Sequence, residues 1–286
     1  MSPGPVRYAD VGPLRLAFEV FGRPTDPTVL LVMGQGTQML AWPDELCTSL
    51  AARGLHVVRF DNRDTGLSTH LPCHSLLDYS LADLAVDTVG LLDALGCHRV
   101  HLVGMSMGAM VAQLIAITHP ARVASLTCIA STTGSRRVGQ PALRLLRRIP
   151  LRRNVSDRED AGALFARVVS AIGSPAYPVD GDRLRDLGAR CYDRGHHPRG
   201  SLRQLIAVAR APDRTSALRR LRVPTLVVHG AADPLVSVSG GRAVAAAVPG
   251  ARLVTVQGMG HDLPPALWPL FVDEICATVV RGEAGR

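Results

Sequence analysis

Between residues 28 and 131 short apolar runs alternate with longer segments whose apolar residues recur at helical spacing, and few folds accept that alternation. TVLLVMG (28–34), LHVVRF (55–60), the run that ends at Gly104 and VASLTCIAS (123–131) read as buried strands. Between them, PDELCTSLAARG (43–54) is opened by Pro43 and stopped by Gly54, and SLADLAVDTVGLLDALG (80–96) is capped by Ser80 and ends at Gly96. Buried strands separated by helices of about ten residues imply βαβ units, hence an α/β fold with a mostly parallel central sheet flanked by helices.

The alternation breaks at Gly134. Residues 135–220 carry arginine-rich helical patterns (ALRLLRRI, AGALFARVVSAIG, RGSLRQLIAVARA) and no convincing strand. It resumes with VPTLVVHG (223–230), a helix through 237–248, the strand ARLVTVQG (251–258) and a last helix from about 265 to 281. The chain therefore divides into a core, 1–133 with 223–286, and an inserted helical cap, 134–222. Ahead of the first βα unit, VRYADVG and LRLAFEVFG form an antiparallel hairpin on the sheet edge.

Length fits this reading, since 286 residues can bury a large core with one insertion. The opening MSPGPVRYADVG has no apolar stretch after a basic start, and no window of about 18 uncharged apolar residues occurs, so a cytoplasmic protein without a membrane span is expected. The six cysteines (47, 73, 97, 128, 191, 276) form no C-x-x-C pair and no zinc spacing, and read as reduced, buried thiols. All 32 basic residues are arginine. Residues 135–222 hold 20 Arg against 8 acids, a local charge of +12, while the rest of the chain is −4. Such a basic segment could attract nucleic acid or an anionic membrane, yet no nucleic-acid motif accompanies it and aromatic residues for base stacking make up 4% of the chain. The arginines are read as solvated surface, and no nucleic-acid partner is expected.

Gly104-Met105-Ser106-Met107-Gly108 fits G-x-S-x-G where a strand ends and a helix begins, the context in which that pattern presents a nucleophilic serine. Serine needs a base, and the base needs an orienting acid. Asp233 follows one late strand and His261 follows the last, so both open onto the sheet edge that carries Ser106. Asp233 could instead cap the next helix, and Asp262, beside His261, is an alternative acid. His56, His101, His119 and His229 are worse placed and are taken as structural. An acyl-transfer site also needs two donors for an oxyanion: the backbone N–H of Met107, and that of Gln35 in the glycine-flanked turn MGQG.

With these residues assembled, the chain resembles the α/β-hydrolases over nearly its whole length, and within them is similar to the polyketide methylesterases of anthracycline biosynthesis, the aclacinomycin methylesterase type. The resemblance is carried by VLLVMGQG, AWPDEL, GLHVVRFDNRDTGLS, GMSMGAMVAQLIA and QGMGH. It implies Ser106, Asp233 and His261 as a triad, Met107 and Gln35 at the oxyanion hole, and a structural loop motif in Asp61, Arg63 and Gly66. The implied activity is hydrolysis of a small or medium hydrophobic carboxylic ester, polyketide methyl esters included, through an acyl-enzyme and without metal or organic cofactor. A serine at the nucleophile position disfavours epoxide hydrolases and dehalogenases, which use a carboxylate there. Peptidases, lactonases, C–C bond hydrolases and perhydrolases share the triad and stay open, as does a non-catalytic ligand binder.

Overall fold

The computed structural model describes residues 4–72, 75–143, 145 and 155–285. Among the described residues eight strands form one sheet: β1 (Arg7–Val11), β2 (Leu14–Phe21), β3 (Thr28–Val32), β4 (His56–Phe60), β5 (Val100–Met105), β6 (Val123–Ile129), β7 (Thr225–Gly230) and β8 (Arg252–Val256). Their order is β1-β2-β4-β3-β5-β6-β7-β8. The edge hairpin β1–β2 and the β2–β4 pair are antiparallel, and every pair from β4 to β8 is parallel. The carboxyl ends of β3, β5, β7 and β8 thus share one edge, where loops of a doubly wound sheet converge.

Strand side chains alternate between two cores. In β3, Leu30 and Val32 join the cluster beneath α2 (Leu81–Ala94), α3 (Met107–Thr118) and α8 (Val238–Ala247). Val29 and Leu31 face the other way, towards α1 (Asp44–Ala52) and α9 (Trp268–Ala284). Helix α2 begins where its sequence directs: Ser80 Oγ accepts the Ala82 N–H and the Asp83 carboxylate accepts the Ser80 N–H, a reciprocal cap.

Between β6 and β7, in the segment expected to form the cap, lie α4 (Arg158–Ile172), α5 (Gly181–Arg194), α6 (Pro198–Ala209) and the short α7 (Thr215–Leu218). The patterns AGALFARVVSAIG and RGSLRQLIAVARA lie in and around α4 and α6, while ALRLLRRI falls largely outside the described residues, as does Cys73. Helix α5 is an addition to the expected set. Glycine lets it cross α4 closely: a Cβ on Gly188 would sit 2.5 Å from Phe165 Cβ. Cys47 and Cys128 are buried free thiols, and burial pushes both up to about 12. Among the described residues no helix is long and apolar enough to cross a membrane.

Candidate active site

Ser106 sits between β5 and α3 at φ 55°, a left-handed conformation that costs a non-glycine residue of order 1–3 kcal/mol. Four contacts hold it there. Its N–H donates to Ile129 O of β6 at 2.9 Å, and its carbonyl accepts from Ala109 N, Met110 N and Ser131 Oγ. The glycines on either side are steric requirements. A Cβ on Gly104 would lie 2.4 Å from Gly108 O, and one on Gly108 would lie 2.0 Å from Val32 O, so α3 packs directly on the backbones of β5 and β3. The serine side chain is left partly exposed above the carboxyl edge.

Asp233 follows β7 and His261 follows β8. His261 Nδ1 and Asp233 Oδ2 are 2.7 Å apart, both groups buried. The other carboxylate oxygen accepts the N–H groups of Leu235 and Val236 at 2.8 and 2.9 Å. The aspartate therefore does both things open to it: it caps the turn with Oδ1 and presents Oδ2 to the imidazole. Asp262 does not compete. Its Oδ1 accepts from Ser174 Oγ at 2.5 Å, in the cap, and burial raises its carboxyl above the ordinary range.

His229, taken as structural on sequence, proves to stand against the same acid. It is fully buried, its Nε2 donates to Val236 O at 2.8 Å and lies 3.6 Å from Asp233 Oδ2. Burial lowers its pKa, so it packs there as a neutral ring.

The turn after β3 lies beside the serine, because β3 pairs with β5 and Val32 registers with Gly104. A Cβ placed on Gly34 would be 3.4 Å from Ser106 Cβ. Among the described residues, neither the Gln35 N–H nor the Met107 N–H has a hydrogen-bond acceptor, as two donors reserved for a ligand oxygen must be. The Gln35 side chain is held by α6, donating to Ser201 O and Oγ at 2.7 and 2.8 Å, and the Gly36 N–H donates to Gln204 Oε1.

The DNRDTGLS loop explains how the cap is seated. Asp61, fully buried, accepts from Met39 N, Leu67 N and Arg194 of α5. Gly66 at φ +52° leaves room for that carboxylate, which a Cβ would approach to 2.2 Å. Asp64 takes both Nε and Nη2 of Arg203 from α6 at 2.8 Å, and Arg63 pairs with Asp87 of α2. Arg214 donates to Gln113 Oε1, Thr132 O and Pro212 O where the cap leaves and rejoins the core. Three cap arginines expected at the surface are thus turned inward, Arg203 and Arg214 buried and Arg194 partly so.

The structure therefore joins Asp233 to His261 and sets Gln35 and Met107 beside Ser106. Among the described residues Ser106 Oγ has no hydrogen bond, to His261 or otherwise; such links are often long without substrate. Two clefts lie away from this centre. One of about 550 Å3 is lined by Arg99, Ile117, Pro120, Arg220, Val223 and Gly282, and one of about 290 Å3 by Asp64, His70, His196, His197, Arg199 and Arg203. What sequence reasoning missed is the set that supports the acid and the histidine loop from elsewhere: His229 against Asp233, and the cap residues Ile172 and Ser174 on the loop. His229 had a signal, a histidine ending the strand that precedes Asp233; the cap residues had none.

Comparison with known proteins bears on the family and the fold. A model of the alpha/beta hydrolase fold matches residues 27–264. Rhodomycin D methylesterase DauP of Streptomyces sp. strain C5 is 31% identical over 96% of this chain and 97% of its own length. The putative carbamate hydrolase RutD of Pseudomonas syringae is 29% identical over 82% of this chain and 86% of its own. In structure, the enol-lactonase of Burkholderia xenovorans superposes with a TM-score of 0.75 at 23% identity, covering 96% of this chain and all of that one, which speaks to fold.

Proposed function

The chain belongs to the alpha/beta hydrolase fold family and is a serine hydrolase of the carboxylesterase type, and from that premise we propose that Ser106, His261 and Asp233 are its catalytic triad, acting on a hydrophobic carboxylic ester. The observation that carries the proposal is the buried 2.7 Å bond between His261 Nδ1 and Asp233 Oδ2 on the sheet edge where Ser106 is held in a strained turn.

Each part has a role in the chemistry. Asp233, its Oδ1 fixed by two backbone N–H groups, keeps the proton on His261 Nδ1 and leaves Nε2 free to act as base. Ser106 Oγ attacks the ester carbonyl carbon as its proton passes to His261, and the carbonyl oxygen takes up negative charge between the N–H groups of Met107 and Gln35. The C–O bond to the alcohol breaks, His261 protonates the departing oxygen, and an acyl-Ser106 remains. Water, deprotonated by His261, then releases the acid and restores the serine. Each lost oxyanion donor costs on the order of 100-fold in rate. The finer reading of the substrate, a polyketide methyl ester, is supported by the rhodomycin D methylesterase among the relatives.

The deciding experiment is hydrolysis of a p-nitrophenyl ester series by the wild type and by Ser106→Ala, with folding monitored by circular dichroism. Turnover that disappears in a folded Ser106→Ala protein is the expected result. Undiminished turnover in that variant would overturn the triad.

A further inference from the structure

The loop that carries His261 is held as much by the cap as by the core. Three consecutive residues bond to the α4–α5 connection. Gly260 N–H donates to Ser174 Oγ at 2.9 Å, His261 N–H donates to Ile172 O at 2.7 Å, and Asp262 Oδ1 accepts from Ser174 Oγ at 2.5 Å. Ala176 N–H reaches back to Gly258 O at 3.2 Å. The contact is too close for side chains: a Cβ on Gly260 would fall 2.1 Å from Gly173 O, and one on Gly258 would fall 2.3 Å from Ala176 Cβ. The GMG that precedes the histidine is therefore a docking surface for the cap.

We propose that Ser174 and Asp262 are a positioning pair through which the seated cap sets the place and the basicity of the His261 imidazole. This rests on the reading of His261 as general base. Ser174 is the hinge of the pair, since one hydroxyl accepts from the loop backbone and donates to the loop carboxylate. The choice of aspartate carries the second half of the argument. An amide or a second hydroxyl would receive the Ser174 proton at far less desolvation cost than a buried carboxylate. A carboxylate adds something those groups lack, a charge on the residue next in the chain to His261 that interacts with the ring that must become imidazolium during the reaction. Among the described residues, the other titratable groups about the ring are Asp233 and the neutral His229, both supplied by β7 and the loop after it. The described cap residues that touch the loop, Ile172, Gly173, Ser174 and Ala176, carry none.

The test is a pH profile of kcat and kcat/KM on a p-nitrophenyl ester for the full-length protein and its Ser174→Ala, Asp262→Ala and Asp262→Asn variants, with Ser106→Ala as reference. Displacement of a base by about 1 Å costs of order 100-fold, so Ser174→Ala and Asp262→Ala should lose about 10- to 100-fold in kcat with KM within about threefold of wild type. Asn at 262 still accepts from Ser174, so it should recover kcat at the optimum to within about threefold, while the acid limb moves down by about 1 pH unit because the charge is gone. A packing role alone would move neither that limb nor its recovery. A folded Ser174→Ala protein with wild-type kcat, or an Asp262→Asn limb that coincides with wild type, would overturn the pair. If Ser174→Ala fails to fold, the Asp262→Asn profile decides alone. Activity surviving in Ser106→Ala would instead remove the triad on which the pair depends.

Discussion

Asp233 and Asp262 are carboxylates of similar burial within reach of one histidine loop, and their hydrogen bonds separate them. Asp233 spends one oxygen on two backbone donors and the other on Nδ1, whereas Asp262 is turned to Ser174. Asp233→Asn should therefore lower kcat by about 10^3- to 10^4-fold and leave KM within a few-fold, because the amide holds the ring in the wrong tautomer and Asp262 is not free to replace it. Steady-state kinetics on the ester series, with a melting curve to establish folding, checks this. At this scale the sequence was informative where chemistry is covalently local. Ser106 lies between two glycines at a strand–helix joint, and no other chain segment is needed to place it. The sequence favoured Asp233 by its place after a late strand, but the orientation of Asp262 was beyond it, because a partner from the cap decides which way that second carboxylate points. His229 escaped for the same reason: its contact with Asp233 arises from the turn 230–236 folding back.

The elements that position the site are governed by backbone approach. Gly108 lies where α3 meets β3, and a Cβ there would stand 2.0 Å from Val32 O. Gly108→Ala must push the helix off the sheet, which should cost about 1–3 kcal/mol and lower the melting temperature. Because the same shift moves the Met107 N–H relative to the Gln35 N–H, the two proposed oxyanion donors, ester hydrolysis should fall by at least tenfold in whatever fraction remains folded. Differential scanning calorimetry and active-site titration of the folded protein separate the two effects. The strands were legible because a short, mainly apolar run bounded by turns leaves little choice in an α/β chain, and α2 announced its start with Ser80 and Asp83. Helix α5 was not. Its buried residues are Leu184, Gly188 and Ala189, too thin an apolar stripe to stand out in GDRLRDLGARCYDR. Packing against α4 and the core is what gives it an inner face.

For the whole molecule, the question is what holds the cap to the core. The +12 of residues 135–222 suggests a basic surface, yet Arg194, Arg203 and Arg214 point inward, the first two onto Asp61 and Asp64 of the DNRDTGLS loop. A charge count cannot reveal this, because it carries no direction, and the acids that receive these arginines lie more than 130 positions away. Pairs on the cap exterior, such as Arg158–Asp193 and Arg185–Asp182, are worth about 0–1 kcal/mol each. The Arg203–Asp64 pair, both side chains buried, is different: removing one partner strands a charge and costs about 3–5 kcal/mol. Burial alone would raise the Asp64 carboxyl, but the Arg203 hydrogen bonds outweigh it and hold the pKa below the ordinary value. A depressed carboxylate gives its full stabilisation above the unfolded value near 4 and loses it as pH falls below that, so the wild-type cap should loosen only in acid. Arg203→Ala should loosen it at neutral pH. Since every basic residue is arginine and 20 of the 32 lie in 135–222, trypsin reads this directly. Limited digestion at pH 8 should cut the Arg203→Ala cap at least tenfold faster than wild type, with the core fragments persisting. Adding Asp64→Asn, which keeps a residue tolerant of φ 67°, should recover part of the lost stability in urea, because no buried charge is then left alone. Equal digestion rates in wild type and Arg203→Ala would mean that the cap is fastened elsewhere, at the Ser174 hinge or the Arg214 clasp, and that the arginine pair only fills the seam.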